Sequence, residues 1–403
     1  MKNNVPKLRF PEFSGEWKRK KIIDAADYVD YRGKTPEKVD NGIFLVTAKN
    51  VKMGYIDYEI SKEYISMADY SDVMRRGIPQ IGDVIITTEA PLGNVACVDR
   101  ENIALAQRVI KYRGKNKILN NYFLKNVFLS DHFQKKLDEL STGGTAKGIK
   151  GSLLHEINIT IPILIDEQTK IADFLNSIDD KIQQLTKKKE LLEQYKKGVT
   201  QQIFSQQIRF KDDNGNNYPN WQEKDLKEIA EVNPKSENVP NNFYYVDLES
   251  VNNGRVGTLN YINSNDAPSR AQRVLSKNDI LFQMVRPYQR NNLLFSVTSE
   301  DNYVASTGYA QLRVRENYDY KFIFQMLLTE NFVNTVMLRC TGTSYPAINS
   351  SDLSTITINI PKYEEQVKIA DFLTGLDNKI NQVNKQIEQT KLFKKSLLQL
   401  LFI

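Results

Sequence analysis

Few residues in this chain are placed to do covalent chemistry. Its only histidines are His132, on an expected helix, and His155, just ahead of an expected strand, and neither has ligand or nucleophile spacing around it. Both read as structural. Gly33-Lys34-Thr35 ends like a phosphate loop but lacks the upstream glycine of G-x-x-x-x-G-K-[ST]. The glycine-rich run Gly143-Gly144-Thr145-Ala146-Lys147-Gly148 is not placed between a strand and a helix, so it reads as a turn. Asp166-Glu167-Gln168 and Glu364-Glu365-Gln366 put acids where helices begin, where a carboxylate suits the positive end of the dipole, and helix initiation is preferred to a metal-nuclease cluster. Cys97 and Cys340 are too isolated for a disulfide framework or a Cys-rich metal site. No catalytic residue, cofactor or metal ligand is expected, and the setting expected is reducing and cytoplasmic.

The elements that position everything else come in two copies. Ile159-Thr-Ile-Pro162, Asp-Glu-Gln168 and Lys-Ile-Ala-Asp-Phe-Leu175 return as Ile358-Asn-Ile-Pro361, Glu-Glu-Gln366 and Lys-Ile-Ala-Asp-Phe-Leu373. The register is kept upstream: Thr142-Gly143 with Thr341-Gly342, Ile149 with Ile348, Phe133 with Phe332, Val46 with Val246. Gly82-Asp-Val-Ile85 pairs with Asn278-Asp-Ile-Leu281, and Arg9-Phe10 to Trp17 echoes Arg209-Phe210 to Trp221. The chain is a tandem duplication.

Each copy reads as a mixed α/β globule followed by one long helix. Strands are expected at Val84 to Thr88 and Val95 to Val98, and over Ile157, Ile159, Ile161 and Ile163, with counterparts at Ile280 to Met284, Leu293 to Val297, and Ile356, Ile358, Ile360. Tyr122 to Leu140 and Tyr320 to Leu338 each read as one helix. Heptad spacing then runs through Leu175, Ile178, Ile182, Leu185, Leu192, Val199 and Ile203, and through Leu373, Leu376, Ile380, Val383, Ile387, Leu397 and Leu401. Lys189, Lys196 and Lys394 interrupt the two seams, with Thr390 also in line. A first helix from about Glu167 to Phe204 would be roughly 55 Å long. The second helix can bury its stripe against the first only by approaching from the far end. The expected fold is therefore mixed α/β: two globules, 1–165 and 206–363, separated by helices 166–205 and 364–403 packed as an antiparallel coiled coil with approximate twofold symmetry.

Composition narrows the class without deciding it. There are 55 Lys+Arg against 49 Asp+Glu, a formal charge of +6 on 403 residues, with 40% hydrophobic and 26% charged residues. That excludes a wholly disordered or collagen-like chain and suggests two or three folding units. No apolar run approaches a membrane span, and Met1 to Arg19 does not read as a signal peptide.

The duplicated set, with Ile178-Asp179-Asp180-Lys181-Ile182 and Leu376-Asp377-Asn378-Lys379-Ile380 following each K-I-A-D-F-L, closely resembles the specificity subunit of type I restriction-modification enzymes. Tyr31-Arg-Gly-Lys-Thr-Pro36, Gly82-Asp-Val-Ile-Ile-Thr-Thr-Glu-Ala-Pro-Leu-Gly93 and Trp17 are also similar to that family. The resemblance spans essentially the whole chain. It implies a non-catalytic protein of a bacterial restriction system that reads double-stranded DNA through two target recognition domains, each taking one half of a split, asymmetric site, with the helices setting the gap. It implies two flanking modification (methyltransferase) subunits, and restriction subunits that translocate with ATP and cleave.

Where the two copies diverge, their hydrogen-bonding groups change. After the shared strand the first copy continues through Thr88 as Thr-Glu-Ala-Pro-Leu-Gly, the second as Gln283-Met-Val-Arg-Pro-Tyr-Gln-Arg-Asn-Asn292. Arg286, Gln289, Arg290, Asn291 and Asn292 include types that pair with purine edges in the major groove, and Tyr288 can pack on sugar or base. A plain solvated loop is the competing reading. Arg32 and Lys34 with Thr35 form a basic loop, and Lys147 and Lys150 bracket the glycine turn, with phosphate positioning favoured for the lysines. Arg108, Lys111, Arg113, Lys115 and Lys117 form another basic cluster, and Tyr345 replaces Ala146 or its neighbour. Two other classes stay open: a duplicated coiled-coil protein-protein adaptor that binds no DNA, and a self-sufficient nuclease, which would need a metal cluster.

Overall fold

The computed structural model describes residues 5–31, 36–144, 146–235, 238–252, 254–297 and 299–403. It divides into two compact units, residues 1–187 with 384–403, and residues 188–383.

The first unit is built on an antiparallel four-stranded sheet in the order Ala26–Asp30, Val109–Gly114, Val84–Thr88, Leu92–Cys97. Val84, Ile86, Val95, Ile110 and Tyr112 point into one core, against Phe123, Phe128, Phe133 and Leu137. Ile85, Ala96 and Val109 face the opposite way, into a second core with Leu45, Val46 and Ile103. A strand buried on both faces reads as a continuous apolar run, which is what Val84-Ile-Ile86 is. A three-stranded sheet, Tyr64–Ile65, Ile43–Val46 and Ile103–Leu105, closes that second core.

The second unit repeats the plan with Ala230–Val232, Tyr309–Val314, Ile280–Gln283 and Leu293–Leu294 in the same order. Its outer sheet has four strands, Asn260–Asn263, Asn242–Val246, Tyr303–Ser306 and Ala271–Val274.

Each expected mid-globule helix is two. Asn121–Leu129 is followed by Asp131–Leu140, and Tyr320–Leu327 by Glu330–Leu338. Ser130 and Thr329 adopt extended backbone, and their hydroxyls accept from the N–H groups of Phe133 and Phe332, each at 3.3 Å. A capping hydroxyl satisfies an otherwise orphaned donor and starts a new helix there. Two strands are shorter than expected, since Asn158–Ile161 excludes Ile157 and Ile163 and Leu293–Leu294 stops well before Val297, while Leu92–Cys97 starts three residues before the expected Val95.

The long helices span Ile165–Phe204 and Tyr363–Leu401. In the first unit, Ile171, Leu175 and Ile178 from the start of one share a core with Leu397, Leu398 and Leu401 from the end of the other. In the second unit, Val199 and Ile203 share a core with Ile369, Leu373 and Leu376. Within each unit the helices pair start to end, the antiparallel arrangement. No helix among the described residues is long and apolar enough to cross a membrane.

Candidate nucleic-acid interface

The repeated motifs turn out to be polar clamps. Glu167, 1% exposed, accepts from Arg9 Nε and Nη2 at 2.7 and 2.8 Å and from Trp17 Nε1 at 3.0 Å. Glu365 takes Arg209 at the same two distances. Gln168 accepts from the Asn120 N–H at 2.9 Å and donates to the Pro162 carbonyl at 2.9 Å, while Gln366 does the same with Asp319 and Pro361. Helix initiation explains neither side chain fully, since Glu167 and Gln168 are buried and bonded to other elements. The signal in the sequence was the pairing of a repeated Arg with a repeated Glu, about 157 residues on in each copy.

A second buried acid ties the loop-bearing sheet together. Asp83 accepts from Arg113 at 2.6 and 2.7 Å and stands 3.2 Å from Lys111 Nζ. Burial pushes its carboxyl up, but the Arg113 hydrogen bonds, the Gln80 N–H and the Lys111 charge together leave it below the usual aspartate value. Burial lowers Lys111, with Asp83 opposing. Asp279 and Arg313 repeat the arrangement at 2.9 and 2.8 Å, and Gln311 takes the place of the lysine. The expected basic cluster is therefore split: Lys111 and Arg113 are spent on Asp83, Arg108 pairs with Glu89 at 2.9 Å, and Lys115 Nζ donates to the Ile23 carbonyl. Of these, only Lys111 is buried with its acid; Arg108 and Glu89 are each about half exposed.

On this frame each unit carries one loop cradle. In the first, the strand ending at Thr88 is followed by a loop whose main chain meets the glycine turn: Ile149 N–H donates to the Thr88 carbonyl at 3.0 Å, and Thr142 and Gly148 exchange two bonds at 2.9 Å. Gly143 has φ +113°, and a Cβ there would lie 2.3 Å from the Ala146 carbonyl oxygen, so the turn requires glycine. In the second, Ile348 N–H donates to the Met284 carbonyl at 3.1 Å, and Thr341 and Ala347 exchange two bonds at 2.9 and 3.0 Å. Met284 thus stands where Thr88 stands, Arg286 where Ala90 stands, and Tyr345 where Ala146 stands. Ala90 and Arg286 share a left-handed backbone, φ 45° and 52°.

The proposed residues fall unevenly on these cradles. Arg32, Lys34 and Thr35 lie outside the described residues. Thr88 is buried and its hydroxyl donates to the Arg108 carbonyl at 3.3 Å, so it holds the frame. Lys147 is exposed beside the turn, 2.5 Å from Asp138, and Lys150 is exposed immediately before the helix Gly151–His155. Arg286, Tyr288, Gln289, Arg290, Asn291 and Tyr345 are brought together. Arg286 stacks on Tyr345, its Cζ 4.1 Å from the ring centroid, and its N–H donates to the Pro346 carbonyl at 2.7 Å. Tyr288 is exposed on a short 3-10 turn, Pro287–Gln289.

What sequence reasoning missed is the organiser. Gln283 is buried beneath the loop: its Nε2 donates to Gln289 Oε1 at 2.9 Å, its Oε1 accepts the Asn291 N–H at 3.1 Å, and its own N–H donates to Asn292 Oδ1 at 2.9 Å. Asn292, expected among the purine readers, is buried and serves this frame. Thr87, at the matching place in the first copy, accepts the Asn94 N–H at 2.9 Å.

The second cradle presents the exposed Tyr288 phenol and Gln289 amide beside the half-buried Arg286 and Arg290, and no metal cluster is found among the described residues. That is equipment for hydrogen-bond recognition. The family described as the type I restriction modification DNA specificity domain matches residues 15–194 and 218–390 of this chain. The chain is 25% identical to the type I restriction enzyme MjaVIII specificity subunit of Methanocaldococcus jannaschii, over 98% of this chain and 93% of that one. Its fold resembles the S subunit of a type I restriction-modification system from M. genitalium, with a TM-score of 0.62, 17% identity and 99% of both chains covered. It also resembles a chain solved in work on complex assembly and conformational transition of the type I system, with a TM-score of 0.53, 16% identity and coverage of 95% and 96%. Two copies of the matched domain, each with its own cradle, account for most of the sequence, and the chain belongs to the type I restriction-modification DNA specificity family.

Proposed function

We propose that this chain is the non-catalytic, sequence-specific DNA-recognition subunit of a type I restriction-modification complex. The recognition domains 1–165 and 206–363 each read one half of a split, asymmetric site, and the helices 166–205 and 364–403 set the number of base pairs between the halves. Two modification subunits supply methyl transfer and restriction subunits supply ATP-driven translocation and cleavage. The observation that carries the reading is the pair of cradles, alike in main-chain hydrogen bonding and different in the side chains they present. Identical frames with different donors suit two different base sequences. Lys147 and Lys150 position the duplex through phosphates rather than bases.

The test is to produce the chain with its modification partners and map methylated bases in the host genome. A single bipartite motif is expected, and its first half alone should change when residues 1–165 are replaced by those of a relative. Deleting two heptads from each long helix should shorten or abolish the tolerated gap. Methylation by the purified single chain, or a motif with no division, would overturn the assignment. Binding by the complex should weaken steeply with salt, because phosphate contacts release counterions.

A further inference from the structure

Arg286 differs from several other arginines of the chain in how its charge is held. Arg9, Arg108, Arg113, Arg209 and Arg313 all pair with carboxylates. Among the described residues no carboxylate lies within ion-pair distance of Arg286, and its buried Nε has no hydrogen-bond acceptor. What fixes it is geometry: a left-handed backbone, a main-chain bond to Pro346, a bridge between Val285 and Ala347, and the Tyr345 ring under the guanidinium. Tyr345 is itself 64% exposed, so the stack stands at the surface.

A guanidinium held over a ring has lost part of its rotamer freedom before any ligand arrives. A prepared fork suits two acceptors at its own spacing, whether two phosphate oxygens or guanine O6 and N7 in the major groove. A phosphate contact carries no sequence information and would serve both domains alike, whereas a base contact is needed only where that base is read. In the first domain the same two positions are Ala90 and Ala146, which have no polar side-chain atoms. Building on the reading above, we infer that Arg286 and Tyr345 form one composite reader that selects a guanine in the second half-site, and that the first half-site has no equivalent reader at this position.

The test uses the full chain with its modification subunits and compares methylated motifs for wild type, Arg286→Ala, Arg286→Lys, Tyr345→Ala and Tyr345→Phe, with melting temperatures measured alongside. The expected result is a motif in which one G·C pair of the second half-site becomes degenerate in Arg286→Ala and Arg286→Lys, discrimination there falling about 10- to 100-fold, the equivalent of one good bidentate contact. The first half-site stays unchanged. Tyr345→Ala should relax the same base pair and Tyr345→Phe should not, because the ring is retained. An unchanged motif in Arg286→Ala overturns the inference while leaving the DNA-reading role intact. So does full activity of Arg286→Lys beside an inactive but folded Arg286→Ala, which assigns the arginine to a phosphate. If the wild-type complex yields no bipartite motif, the underlying reading fails instead.

Discussion

Lys394, near the end of the second long helix, donates to Asp179, near the start of the first, at 2.5 Å. Lys125 reaches the same carboxylate at 3.2 Å from the helix Asn121–Leu129. The second unit mirrors this, with Lys196 on Asp377 at 2.6 Å and Gln325 donating to the other carboxylate oxygen. Two of the lysines that interrupt the heptads, Lys196 and Lys394, are therefore partners of the aspartates in the repeated I-D-D-K-I and L-D-N-K-I segments, whereas Lys189 stands 3.8 Å from Glu193 on its own helix.

Removal of the acid should cost more than removal of the base. Asp179→Ala leaves two mostly buried ammonium groups without a counter-charge and should destabilise by about 3 kcal/mol, the lower end of the range for breaking a buried pair. Lys394→Met leaves Asp179 with Lys125 and replaces a buried cation with a chain of similar volume, so about 1 kcal/mol or less is expected. Urea denaturation of the two variants ranks them, and the reverse order would show that Lys394 is the anchor.

Asp83 should shape the acid limb of stability. Its folded-state value lies below the ordinary aspartate value because Arg113, the Gln80 N–H and Lys111 outweigh its burial. The contribution is complete above about pH 4 and is lost as pH falls through the lower folded-state value. Asp83→Asn should melt lower than wild type at pH 7, with the difference shrinking as the pH falls below about 4. A constant difference over that fall would mean the carboxylate charge is not what matters.

The two tryptophans make a matched pair for a third measurement. Trp17 donates to Glu167, whereas the buried Trp221 Nε1 has no acceptor among the described residues. Both substitutions to Phe lose similar volume, but only Trp17→Phe loses a hydrogen bond to a carboxylate, worth about 1.5 kcal/mol or more. Trp17→Phe should therefore be the more destabilising by that margin in thermal unfolding.

Gln283 should control the second cradle without controlling the fold. Gln283→Leu keeps the volume but releases the Gln289 side chain and the Asn291 N–H. The expected outcome is a broadened second half-site, read by methylation mapping, with the first half-site intact. Equal broadening of both halves would locate the effect elsewhere.

The duplication, the heptads and the inward alternation of Ile159 and Ile161 were legible because burial imposes a period on the sequence. The helix breaks were legible in principle, since Ser130 and Thr329 sit three residues ahead of Phe133 and Phe332, but the apolar pattern runs straight through them. Charge pairing was not legible. Lys111 and Arg113 look like a solvent-facing cluster beside Arg108 until Asp83, 28 residues upstream of Lys111, is brought beneath them. The inward turn of Thr88 and Asn292 was hidden too, since a short polar side chain next to a loop is equally suited to facing out and to holding its main chain.

Gln168 has one further mechanical effect. Its amide is bonded at once to the Pro162 and Ile118 carbonyls and to the N–H of Asn120, the cap residue of the helix Asn121–Leu129. The opening turn of the rod is thus keyed into its own globule and cannot swivel without wrenching a strand end and a helix cap together. Torque applied by a partner gripping the rod would be handed to the globule as a rigid turn, rather than dissipated in a loose joint.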